Sequence, residues 1–231
     1  MSAIILALDT PDVASGMRVV DRLPDLEWVK VGPTLLLREG GGPSLIRQLL
    51  DRDLQVFLDL KWHDIPHQVA GAVRAARDLG VDLVTVHALG GVEMVEAAVE
   101  AAGSMRVAAV SVLTSHTGAS LARACGRQGP VPTEDEVRRL VRMALEAGVG
   151  AVVCSPAEVG AVREVTGPDP WVVVPGIRAP GAGADDQRRT GDAGTAARAG
   201  ATHLVVGRPI WRAESPELVY TRLCDAVEED T

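Results

Sequence analysis

The chain has 231 residues, 47% of them hydrophobic and 23% charged, which excludes wholesale disorder and suits one domain with a sizeable core. Its 31 acidic against 23 basic residues leave a net charge of −8, and 4 Trp, 1 Tyr and 1 Phe cannot build a base-stacking platform, so nucleic acid is not an expected partner. No apolar run reaches the ~18–20 residues that cross a bilayer, and the stretch before Asp9 is short for a signal peptide, so the expectation is a soluble, cytoplasmic protein without a membrane partner.

In chain order, the first apolar run is Ile4–Leu8, followed by helical spacing over Val13–Leu23. Trp28–Val31 precedes a helix over Ser44–Asp53, Gln55–Leu60 precedes Val69–Leu79, and Leu83–His87 precedes Val92–Ala102. Val107–Leu113 leads to Glu134–Ala147, Ala151–Cys154 to Ala157–Thr166, Trp171–Val174 to Gly191–Ala199, and His203–Val206 to a last helix over Pro209–Val227. Gly80, Gly103, Gly148, Gly167 and Gly200 stand where helices would end in a left-handed residue.

These runs are apolar throughout rather than alternating, as expected of parallel strands covered on both faces. Eight strand–helix units at about 29 residues each predict a single (β/α)8 TIM barrel spanning 1–231. A doubly wound sheet lacks its fingerprint, because no GxGxxG follows the first run. The Gly/Pro-rich stretch from Pro175 to Asp186 falls where a mobile active-site loop would sit. Cys125, Cys154 and Cys224 are far apart and form no CxxC, so free thiols are expected.

Barrel chemistry sits at the carboxyl ends of the strands, and the polar residues there are Asp9, Lys30, Asp59 and Lys61 through Asp64, His87, Thr114-Ser115-His116 and Gly207-Arg208. Asp59 and Lys61 are two apart, so on an extended strand both point into the barrel, with Lys30 beside them on the neighbouring strand. Asp64 lies beyond the strand, where it can bend back or reach a second subunit. A buried structural ion pair is the bland alternative, and four charges at one mouth argue against it. Gly207-Arg208 at the start of a helix offers N–H groups and a guanidinium fork to a phosphate. His63 and His67 are four apart, but Pro66 stands between them and no third ligand is visible, so no metal site is expected. His87 and His116 read as hydrogen-bonded pocket or core residues.

Asp59-Leu60-Lys61-Trp62-His63-Asp64-Ile65-Pro66 resembles the D-x-K-x-x-D-I-P signature of the orotidine 5′-phosphate decarboxylase family. The likeness covers almost the whole chain: Leu6–Asp9, Val29–Gly32, Val112–Ser115, Cys154-Ser155, Pro175–Arg178, Asp186–Arg189 and Val206–Pro209 are similar to family segments in the same order. Gln68 departs from the pattern, which commonly has Thr there, and His67 also varies.

The resemblance implies decarboxylation of orotidine 5′-monophosphate to UMP and CO2, the last step of de novo UMP synthesis, without a cofactor. Lys61 would protonate C6, and Asp59, Lys30 and Asp64 would complete the charge array. It implies a homodimer in which Asp64 crosses to the partner's site. Asp9 and Lys30 would hold the ribose, Thr114 or Ser115 the pyrimidine, and Arg178, Gln187, Gly207 and Arg208 the phosphate. Ile65, Gln68 and Pro175 would also contact the substrate. The rivals are a metal-dependent sugar-phosphate decarboxylase or hexulose-phosphate synthase on the same frame, a Schiff-base aldolase using Lys61, and a catalytically silent nucleotide-binding module.

Overall fold

In the computed structural model, which describes residues 2–177 and 191–228, eight parallel strands close into a barrel. They are β1 (Ala3–Ala7), β2 (Trp28–Val31), β3 (Gln55–Trp62), β4 (Leu83–His87), β5 (Arg106–Val110), β6 (Ala151–Val153), β7 (Trp171–Pro175) and β8 (His203–Val206). Each pairs with the next, and β1 closes on β8 through Ala3↔His203 to Leu6↔Val206. The expected (β/α)8 architecture is thus the one observed.

The helices are α1 (Val13–Val20), α2 (Pro33–Leu36), α3 (Gly42–Leu50), α4 (Pro66–Asp78), α5 (Val92–Ala102), α6 (Gly118–Ala124), α7 (Thr133–Glu146), α8 (Val159–Thr166), α9 (Ala193–Arg198), α10 (Arg208–Trp211) and α11 (Pro216–Glu228). Local chemistry sets several starts. The Asp12 side chain accepts the Ser15 N–H at 2.7 Å to begin α1, Thr117 and Ser120 cap α6 reciprocally, and Pro66 opens α4 where its missing N–H is not needed.

Several boundaries differ from the sequence expectation. Strand β3 runs on to Trp62 because its register to β4 jumps: Leu58 pairs with Val84, but Trp62 pairs with Val86. Strand β5 stops at Val110, not Leu113, and the Ser111 N–H and hydroxyl both turn to the Val153 carbonyl, at 3.2 and 2.8 Å. The helix expected over Pro209–Val227 is two, and α11 restarts at Pro216, whose ring cannot continue a helical hydrogen-bond ladder. The short α2 and α6 lie in stretches without a helical expectation. The loop expected after β7 falls largely outside the described residues, but its ends meet in an isolated bridge between Ile177 and Gly191.

Both strand faces are buried, which explains the continuous apolar runs. Outward residues such as Val29, Leu58, Val84, Val152 and Leu204 pack under the helices. Inward residues Ile5, Phe57, Leu83, Val110, Val153, Val173 and Val205 fill the barrel. At the amino-terminal ends, Trp28, Trp171 and His203 form an aromatic plug, with Trp171 and His203 centroids 4.1 Å apart and Trp28 edge-on to both. Arg106 lies over the Trp171 ring at 3.9 Å. Among the described residues no helix is long and apolar enough to cross a membrane, and no disulfide joins the three cysteines.

Burial, reinforced by the Arg106 charge, holds His203 down at about pKa 4. Its unfolded value is about 6.5, so the unfolded chain takes up the proton first, and the stability lost as pH falls from about 6.5 to 4 is at most about 3 kcal/mol. Chemical denaturation at stepped pH should therefore show a declining unfolding free energy over this window. His203→Phe should reduce that decline while leaving the share that His87, also held near pKa 4, contributes; an unchanged slope would place its source elsewhere.

Candidate active site

The carboxyl ends of the strands surround a cavity of about 270 Å³. Its apolar floor includes Phe57, Val153, Val173 and Val205, and its polar wall carries Asp9, Lys30, Asp59, Lys61, Thr114 and Arg208.

Asp59 is the hub. Its Oδ1 lies 2.7 Å from Lys61 Nζ and accepts the Thr85 hydroxyl at 3.0 Å, while its Oδ2 lies 3.4 Å from Lys30 Nζ. Lys30 reaches on to Asp9 Oδ1 at 3.3 Å. Two ammoniums and two carboxylates therefore alternate along one wall. Burial works against both Asp59 and Lys30, but each is overruled by its partners. The Lys30 and Lys61 charges hold Asp59 below the usual carboxylate range, and Asp59 and Asp9 hold Lys30 above the usual lysine range. The Lys61 side chain keeps 38% of its surface exposed at the cavity, so its ammonium is paired yet accessible.

The route to this geometry differs from the simple alternation read in the sequence. Lys61 has φ +49°, a left-handed backbone that side chains rarely adopt, and sits within the β3 register jump. Its N–H is caught by Thr85 Oγ1 at 2.8 Å. Thr85, fully buried on β4, thus accepts from the Lys61 backbone and donates to the Asp59 carboxylate. Sequence reasoning missed it, because a Thr inside Leu83–His87 reads as an ordinary β-branched strand residue. Just beyond, the His63 and His87 rings stack at 5.5 Å, and His87 Nδ1 accepts the Leu89 N–H at 3.3 Å. Burial, then His63, Lys61 and His116, holds His87 at about pKa 4, consistent with that acceptor role.

The structure brings Asp9, Lys30, Asp59, Lys61, Thr114, Pro175, Gly207 and Arg208 to this one cavity. Gly207 lies where an added Cβ would come within 3.3 Å of Ala7 Cβ, so a side chain there would press on β1. Of the adjacent pair, Thr114 lines the cavity and Ser115 is exposed outside it. Asp64, Ile65 and Gln68 do not line it either. They are exposed on the rim at the start of α4, where Asp64 Oδ1 accepts the Ile65 N–H at 2.7 Å. Arg178 and Gln187 lie outside the described residues. Among the described residues no group of three or more His, Cys, Asp or Glu is arranged to hold a metal ion.

A closed parallel barrel with a Lys–Asp–Lys array at its mouth defines a TIM-barrel enzyme. The family model described as Orotidine 5'-phosphate decarboxylase / HUMPS family matches residues 2–223. An orotidine 5'-phosphate decarboxylase of Thermobifida fusca is 47% identical over 215 residues, covering 92% of this chain and 90% of that protein. One of Anaeromyxobacter sp. (strain K) is 48% identical, covering 92% of each. The crystal structure of orotidine 5'-phosphate decarboxylase from Lactobacillus acidophilus superposes with a TM-score of 0.85 at 32% identity, covering 98% of this chain and 99% of that one. The chain belongs to the orotidine 5'-phosphate decarboxylase / HUMPS family. These relatives do not favour the hexulose-phosphate synthase rival.

Thr85→Val keeps shape but strips both hydrogen bonds, and unfolding free energy should fall by about 1–3 kcal/mol. Thr85→Ser should recover most of it; equal losses in both variants, read from denaturant midpoints, would show that the hydroxyl is not responsible.

Proposed function

We propose that this chain decarboxylates orotidine 5′-phosphate to UMP and CO2 in pyrimidine biosynthesis. It acts as one barrel domain in the cytoplasm, as a homodimer with shared sites, and without metal or organic cofactor. The observation that carries this reading is the Asp59 carboxylate braced between Lys30 and Lys61 at a cavity whose rim also holds Arg208.

Breaking the bond from C6 to the carboxylate releases CO2 and leaves the electron pair on C6, with no conjugated sink to receive it. Stabilisation must come from fixed charge. The Lys61 ammonium faces the cavity and is oriented by Asp59 at 2.7 Å, so it stabilises the developing carbanion and then gives it a proton. The amine left behind regains its proton from water. Asp59 sits beside the departing carboxylate, and Lys30 keeps Asp59 ionised throughout. Asp9 and Lys30 bind ribose hydroxyls, Thr114 holds the pyrimidine edge with Ser115 beside it, and Pro175, Gly207 and Arg208 meet the phosphate end, joined by Arg178 and Gln187. Phosphate binding so far from C6 supplies energy for organising the reacting groups.

Asp64, Ile65 and Gln68 act across the dimer. Their exposure on the rim suits residues that complete a neighbour's site, and Ile65, 63% exposed, is apolar enough to favour being covered.

The direct test is the absorbance change of orotidine 5′-monophosphate on mixing with the protein. Turnover should be the same with and without EDTA, and Lys61→Ala should lower it by at least about 10³-fold while UMP still binds. Absent turnover in the wild type refutes the reading, and full EDTA sensitivity refutes the cofactor-free mechanism. A second test mixes inactive Asp64→Ala and Lys61→Ala proteins. Random pairing should restore roughly a quarter of wild-type activity, because half the dimers are hybrids with one intact site of two. No recovery despite demonstrated subunit exchange would confine Asp64 to its own subunit.

A further inference from the structure

Beside the active-site cavity lies a second one of about 470 Å³, between the turn after β1, helix α2 and helix α10. Asp9 and Arg208 line both cavities, so the two share a wall at the end assigned above to phosphate. The second cavity adds Arg38 and Arg212, bringing three guanidiniums against one carboxylate in a chain of net charge −8.

That carboxylate, Asp9, is engaged by Lys30 at 3.3 Å. Arg38 and Arg212 form no ion pair among the described residues. Asp12 is within electrostatic reach of Arg38, but its side chain is committed to the Ser15 N–H and hydroxyl, at 2.7 and 3.0 Å. Arg212 lies over the Trp211 ring at 4.8 Å, which holds its guanidinium plane. Trp211 also lines this cavity, and its indole N–H is buried with no hydrogen-bond partner among the described residues. The Arg38 and Arg212 guanidiniums on this concave wall suit a multiply charged anion.

We propose that this cavity takes the terminal phosphate of a pyrimidine nucleoside 5′-diphosphate whose base, ribose and first phosphate occupy the active site. The inference rests on the reading under Proposed function and adds a ligand class to it: the chain is inhibited competitively by nucleoside diphosphates, and a product carrying one further phosphate binds better than the product itself. Arg208 stands between the two phosphates, and Arg38 and Arg212 face only the outer one.

The test compares inhibition of orotidine 5′-monophosphate turnover by UMP and by UDP, in EDTA so that the diphosphate is free of metal. In the wild type UDP should inhibit at about tenfold lower concentration than UMP, as one added charge-assisted contact predicts. Arg38→Ala and Arg212→Ala should each remove most of that advantage while leaving UMP inhibition and the KM for substrate within about twofold of wild type. UDP no better than UMP in the wild type, or variants that weaken UMP and UDP alike, would overturn the proposal. Normal turnover and UMP inhibition with no UDP advantage defeats this inference alone, whereas absent turnover and absent UMP inhibition defeat the underlying reading as well.

Discussion

A carboxylate in the throat of an apolar barrel is tolerable only if its charge is met on every side, and the architecture around Asp59 follows from that requirement. An unpaired buried carboxylate costs several kcal/mol. Lys30 approaches from β2, Lys61 from the end of β3 and the Thr85 hydroxyl from β4, so three successive strands must keep their register for the charge to remain satisfied. The same demand explains why Lys61 accepts a left-handed backbone. Its N–H would be orphaned by the register jump without Thr85, and Thr85 is available because it is already turned inward toward Asp59.

The array also divides labour by exposure. Lys30 and Asp59 are nearly sealed, and their mutual attraction fixes their charge states. Lys61 shares the same carboxylate yet keeps its ammonium open to the cavity. The proton donation proposed for Lys61 needs that combination, because a fully buried ammonium has no reacting atom within reach and a free one is not held in place. The interactions that organise the site are therefore also those that stabilise the barrel mouth.

Much of this was legible in the sequence. The eight strands were readable because burial on both faces makes each an unbroken apolar run, as in Trp171–Val174, which left only their ends in error. Asp59, Lys61 and Lys30 stood out because charge is conspicuous at the end of such runs. Thr85 did not, because its β-branched side chain is as common in a strand as Val and its role comes from a partner strand 26 residues away. The bulge at Lys61 has no Gly to announce it. The choice between Thr114 and Ser115 turned on where β5 stops, which depends on Ser111 capping the Val153 carbonyl. Asp64 and Gln68 are exposed on the rim and do not line the cavity, so the signature alone did not say where they would lie.

The aromatic plug of Trp28, Trp171 and His203 gives the barrel a stoppered bottom. A molecule that settles at the mouth therefore acts as a cork in a bottle with no drain. In the reaction proposed above, a small fragment released beneath a bound nucleotide would have the barrel mouth as its way out, so that the order in which the pieces depart becomes part of the turnover itself.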